Sequence, residues 1–173
     1  QLDDFSAKVG VPNKFGVVGN DRNAIAPGKR MLSSMTPTIL LRDGEPALVI
    51  GTQGGSTIFT SVMQVILNLY DFGLPLQEAV NATRYHHQLP AARLIRHDQW
   101  SIPPDTRVAL EKLGYTVKPN SWGHLGDIHA ITVDAEAVRA ASDRRGRGLA
   151  KVLADTTVGA AGAAPPRAAA APE

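Results

Sequence analysis

The chain has 173 residues, 43% of them apolar, which is enough for one domain with a core of its own. A formal charge of +2 without basic patches interleaved with aromatics gives no expectation of nucleic-acid binding, and the lack of cysteine excludes thiol catalysis, thiolate metal sites and disulfides. No apolar run reaches the roughly 18 residues of a membrane span.

Residues 1–31 read as loop, punctuated by Gly10, Pro12, Gly16, Gly19, Pro27 and Gly28. The opening Gln1-Leu-Asp-Asp-Phe is neither a signal peptide nor an initiating methionine, so a fragment or a processed subunit is expected. Ser33 and Ser34, read as a buried pair, lead into a β-hairpin over 38–51 that turns at Asp43-Gly44-Glu45-Pro46. Its strands are nearly continuous apolar runs, the pattern of a sheet covered on both faces. After the glycine turn Thr52-Gln53-Gly54-Gly55, Ser56 is the expected N-cap of a helix reaching Phe72. Ile58, Val62, Val65, Ile66 and Leu69 keep its helical period, and Gly73 stops it.

A short helix from Pro75 to about Ala82 follows, then a strand over 93–97 and a helix over 104–113 closed by Gly114. Further strands are expected over 115–118, 128–134 and 138–142. Arg144, Arg145 and Arg147 read as solvated surface. From residue 149 the chain becomes an Ala/Gly/Pro-rich tail with too little apolar surface to order itself. The order of elements predicts an α+β domain over 1–148 and a disordered tail over 149–173.

Few residues point to chemistry. Gly54-Gly55, between a strand and a helix, can aim backbone amides at an anion or a developing oxyanion, and the helix dipole favours negative charge there. A tight turn without a ligand is the alternative, and the glycines alone favour it. Ser33 and Ser34 can donate to a carboxylate or bond the local backbone. Asp4 suits an ammonium, with Gln1 beside it, or is a solvated acid. His86-His87 invites a metal reading, but neighbours in a strand point to opposite faces and no acidic cluster accompanies them, so no metal site is expected. His124, Asp127 and His129 do not define a catalytic triad by position alone.

Taken together, several motifs resemble the small subunit of γ-glutamyltranspeptidases. These are Leu2-Asp3-Asp4-Phe5-Ser6, Lys29-Arg30-x-Leu32-Ser33-Ser34-Met35-x-Pro37-Thr38, Gly51-x-x-Gly54-Gly55-Ser56, Ala82-x-Arg84-x-His86-His87-Gln88 and Ala141-Ser142-Asp143, in unbroken order over residues 1 to about 145. The resemblance implies an Ntn-hydrolase-type four-layer αββα sandwich, assembled with a large subunit after a zymogen precursor cleaves itself. It implies acyl transfer or hydrolysis of γ-glutamyl amides such as glutathione, without a cofactor, by an N-terminal threonine lying upstream of this stretch. Carried over by motif, Gly54 and Gly55 would supply oxyanion amides, Ser33 and Ser34 would hold the substrate α-carboxylate, and Asp4 with Gln1 its α-ammonium. A periplasmic or extracellular address follows from the same resemblance. A related amide acylase and a non-catalytic binding remnant are the alternative readings.

Overall fold

Asp43 and Gly44 both take positive φ, 53° and 87°, the backbone a two-residue hairpin turn needs. They fold β1 (Thr38–Arg42) against β2 (Glu45–Gly51). The computed structural model describes residues 4–89, 91–98, 102–121 and 123–153. Gln1 and residues 154–173 of the expected tail lie outside them. The remaining elements are α1 (Ile58–Tyr70), α2 (Leu76–Asn81), β3 (Tyr85–His87), β4 (Leu94–His97), α3 (Pro104–Lys112), β5 (Thr116–Pro119), β6 (His129–Val133) and β7 (Val138–Ser142).

They form two sheets. The larger is antiparallel, in the order β1-β2-β6-β7, and the smaller runs β3-β4-β5 with β4 and β5 parallel, joined through α3. Helices α1 and α2 cover one face of the larger sheet. Ile58, Val62, Val65, Leu76, Ala79 and Val80 pack there on Leu48, Ile50, Ala130 and Ala141, and Ile66 and Leu69 lie at the margin. Each large aliphatic buried this way contributes roughly 1.5–3 kcal/mol. A satellite core of Ile95, Ile102 and Val117 sits under Leu110 of α3 and Tyr115.

The sequence reading expected both faces of the hairpin sheet to be covered. Among the described residues only one is. Register aligns Ile39, Val49, Ile131 and Ala140 straight across the opposite face, where Ile39 is 62% and Val49 40% exposed. Three further expectations need correction. Ser56 does not cap α1: a 3₁₀ turn over Gly55–Thr57 intervenes, and the Ser56 hydroxyl donates instead to the Phe15 carbonyl. The strand β3 was not among the expected elements; three residues are too few for a period, and Gln64 of α1 stands in for a neighbouring strand by bonding both the N–H and the C=O of Tyr85. Arg145 is not solvated surface.

Arg145 belongs to a four-membered ionic cluster with Arg84, Asp98 and Asp143, all four side chains fully buried. Arg84 contacts Asp143 at 2.5 Å, and Arg145 contacts Asp98 and Asp143 at 3.0 Å each. The remaining capacity goes to backbone: Arg84 donates to the carbonyls of Val80, Leu125 and Gly126, and Arg145 to those of Asn81 and Ala82. Asp98 accepts from Arg84 N and Leu125 N, and Asp143 from Ile128 N and Arg145 N. The cluster therefore ties the end of α2, the end of β4, the 125–128 loop and the end of β7 to one another.

Burial pushes the Asp143 carboxyl up, but the Arg145 N–H, the Arg84 charge and the Ile128 N–H outweigh it and hold it below the usual carboxylate range. A carboxyl lowered by folding contributes stability above its unfolded value of about 4 and loses it as pH falls toward the folded value. Asp143→Asn leaves the buried guanidiniums under-compensated. It is expected to lower the unfolding free energy by about 3 kcal/mol or more at pH 7, read from urea midpoints, with the gap to wild type narrowing below about pH 4.

Candidate functional site

The glycine turn is held from below. Gly54 and Gly55 have φ of 142° and 58°, conformations that side chains disfavour. A Cβ on Gly54 would meet Thr57 Oγ1 at 2.6 Å, and one on Gly55 would meet Phe15 Cδ1 at 2.4 Å, so local space as well as dihedral angle requires glycine at both. Thr57 bonds the Gly54 carbonyl through both its N–H and its hydroxyl. The 125–128 loop supports the turn: Asp127 N donates to Thr52 Oγ1 at 2.6 Å, and Ser61 of α1 donates to the Leu125 carbonyl. The turn passes through the 3₁₀ turn Gly55–Thr57 into α1, where Thr57 N and Ile58 N bond the Gly54 and Gly55 carbonyls, and it lies at the positive end of the helix dipole.

Beside it lies a cleft of about 650 Å³. Asp4, Ser33 and Ser34 line it together, with Lys8, Lys14 and Ser56. Ser33 is exposed and Ser34 half-buried, so the pair is not the buried one the sequence reading expected; the Ser33 hydroxyl accepts from Met35 N at 3.1 Å. Gly54 faces an adjoining cavity with Lys14, Asn120 and His124, and Gly55 lies under the Phe15 ring. Lys14 and Phe15 border both cavities, and the Phe15 ring lies against Gly55.

Asn23 escaped the sequence reading because it sits in a loop-rich stretch without periodicity. Its side chain, buried in a 3₁₀ turn over Asp21–Asn23, donates to the Asp4 carbonyl at 2.6 Å and accepts from Leu32 N at 3.0 Å. It thereby fixes the distance between the Asp4 segment and the Ser33-Ser34 segment. The Asn20 cap, which opens that turn by accepting from Arg22 N, was the available signal.

His86 points inward and His87 outward, as alternation requires. His86 Nδ1 lies 2.9 Å from Thr60 Oγ1 and Nε2 2.9 Å from Gln88 Oε1. His129 lies 3.7 Å from Asp127 at the open end of the sheet. No group of three or more candidate metal ligands occurs among the described residues.

The gamma-glutamyltranspeptidase family model matches residues 1–153. The chain belongs to the gamma-glutamyltranspeptidase family. It is 56% identical over 155 residues to a glutathione hydrolase proenzyme of Pseudomonas aeruginosa, covering 88% of this chain and 28% of that protein. A glutathione hydrolase proenzyme of Escherichia coli is 51% identical over 118 residues, 68% of this chain and 20% of that protein. Among solved structures, the gamma-glutamyltranspeptidase from Pseudomonas nitroreducens complexed with L-DON superposes with a TM-score of 0.84 at 52% identity, covering 88% of this chain and 79% of that one. The fold is thus of the Ntn-hydrolase type, with α1 and α2 packed on the four-stranded sheet. The chain spans less than a third of the length of these two curated relatives.

Two measurements check this geometry in the full-length protein. Asn23→Ala removes both bonds that link Asp4 to Leu32 and is expected to speed hydrogen exchange of the Leu32 amide roughly tenfold or more, as two lost hydrogen bonds of about 1 kcal/mol each would do. Burial lowers the His86 pKa; Gln88 opposes the shift, and the His87 and Arg96 charges add to it. The unfolded state then binds the proton first on acidification, so stability falls as pH drops from about 6.5 toward the lowered folded value. His86→Asn should flatten that limb of a plot of Tm against pH.

Proposed function

We propose that the protein containing this chain hydrolyses or transfers γ-glutamyl groups from glutathione and related amides, and that this chain supplies the donor clamp and the oxyanion amides. The observation that carries the reading is the convergence of Asp4, Ser33 and Ser34 on one cleft, next to a strained two-glycine turn at a helix start. Asp4, with Gln1, takes the α-ammonium of the glutamyl group. Ser33 and Ser34 donate to its α-carboxylate, and Lys8 and Lys14 raise the local positive potential.

The nucleophile is the threonine that heads the small subunit in this family, upstream of Gln1. Its hydroxyl oxygen attacks the γ-carbonyl carbon while its α-amine accepts the hydroxyl proton. Gly54 and Gly55 N–H groups hold the resulting oxyanion, an interaction worth roughly 3 kcal/mol per donor in comparable acyl transfers. Collapse breaks the C–N bond, the leaving amine takes the proton, and an ester remains. Water resolves the ester to glutamate; an amino-acid amine resolves it to a new γ-glutamyl amide. Either way the threonine is restored, and no cofactor takes part.

The uncovered apolar face through Ile39, Val49 and Ile131 supports a second sheet from the large subunit of the same precursor. No described helix is long and apolar enough to cross a membrane. A periplasmic or extracellular address goes with the family reading.

Full-length protein should cleave γ-glutamyl-p-nitroanilide far faster than glutaryl-p-nitroanilide, which lacks the α-ammonium. Asp4→Ala should lower kcat/KM for the first roughly 100-fold, the loss of a charge-assisted bond, and leave the second nearly unchanged. Equal turnover of the two anilides, indifferent to Asp4→Ala, would overturn the clamp assignment.

A further inference from the structure

The His86-His87-Gln88 motif is left without a role by the clamp, the oxyanion turn and the nucleophile. Its two inward polar side chains nevertheless end on the segment that walls the cleft. Gln88 Nε2 donates to the Phe15 carbonyl at 3.2 Å, and Ser56 Oγ donates to the same oxygen at 3.3 Å. Gly16, next in sequence, passes so close that a Cβ there would touch Gln88 Nε2 at 3.4 Å.

The segment itself is compact. Asn13 Oδ1 accepts from Phe15 N and Val17 N, while Asn13 N bonds the Val17 carbonyl and Gly16 N the Asn13 carbonyl. These bonds hold it together as one piece, and it meets the body of the domain at the Phe15 carbonyl and at the ring resting on Gly55.

His86 sets the aim of Gln88. Its Nε2 meets Gln88 Oε1, which directs the amide nitrogen outward to Phe15. With Nε2–H donating to Gln88, Nδ1 accepts from Thr60 Oγ1 at 2.9 Å, which fixes the ring to the first turn of α1, just beyond Thr57. Phe59 packs edge-on against the imidazole at 6.1 Å and also lines the donor cleft. The relay thus starts at the base of the oxyanion turn and finishes on the wall in front of it.

We infer that His86 and Gln88 are positioning residues that latch the Phe15 segment onto the glycine turn and so set the width of the donor cleft. This rests on the γ-glutamyl reading of that cleft. The glycines have their own supports in Thr57 and the 125–128 loop, so loosening the latch weakens substrate retention and leaves the chemical step alone.

The test uses full-length protein with Gln88→Ala and Gln88→Glu. Glutamate at this position keeps an oxygen toward His86 but has no N–H for Phe15. Hydrogen exchange of the amides over 11–19 is expected to speed up roughly fivefold in both variants, the weight of one neutral hydrogen bond, with β2 and β6 unchanged. KM for γ-glutamyl-p-nitroanilide should rise by a similar factor while kcat stays within about twofold. Unchanged exchange over 11–19, wild-type exchange in Gln88→Glu, or a loss carried by kcat with KM unmoved would each overturn the latch. If the parent protein cleaves no γ-glutamyl amide, the functional reading fails, and the exchange data still decide whether the latch exists.

Discussion

The buried cluster of Arg84, Arg145, Asp98 and Asp143 is the constraint on which the rest of this chain depends. Two cations and two anions lie fully inside, a placement whose desolvation cost is offset by their mutual pairing and by further hydrogen bonds to the backbone. Here the surplus capacity goes to seven backbone groups in the Val80–Ala82 and Leu125–Ile128 segments. These segments are the end of α2 and the loop that leads into β6. Charge pairing does there what a ladder does elsewhere.

The consequence reaches the proposed site by a short path. The 125–128 loop, fixed by Arg84 and Asp98, presents Asp127 N to Thr52 and the Leu125 carbonyl to Ser61. Gly126 packs under Gly54, where a Cβ on Gly54 would come within 3.6 Å of its Cα. The strained turn is thus wedged between a charged scaffold and the start of α1. The opposite wall hangs more lightly, from Asn23, Ser56 and Gln88. If the turn serves as the proposed oxyanion side, its firm support and the lighter hold on the facing wall suit a site that keeps its chemistry fixed while admitting and releasing ligand.

What was legible in the sequence followed from local rules. Asp43-Gly44 between apolar runs placed the hairpin, and the period from Ile58 to Leu69 placed α1, because turn chemistry and amphipathic spacing are properties of neighbouring residues. What was not legible depends on partners far along the chain. Arg145 looks like surface in a basic stretch, yet besides its near neighbour Asp143 it pairs with Asp98, which only the fold brings within reach. Asn23 bridges residues 4 and 32, and Gln64 completes a strand at 85; neither leaves a periodic trace. The apolar runs of the hairpin predicted cover on both faces, whereas among the described residues the face through Ile39 and Val49 is exposed, because periodicity reports what a strand can bury and not what lies against it. The proposed site residues themselves were found by motif, since two serines or two glycines alone carry no unique chemistry.

The most direct measurement is a crystal structure of the full-length protein with a γ-glutamyl analogue covalently bound to the nucleophile. The account expects the bound carbonyl oxygen within about 2.7–3.1 Å of the Gly54 and Gly55 nitrogens, the α-carboxylate on Ser33 and Ser34 and the α-ammonium on Asp4. An analogue seated with its amino-acid end away from Asp4 and the serines, or with its oxyanion held by groups other than the two glycine amides, would contradict it.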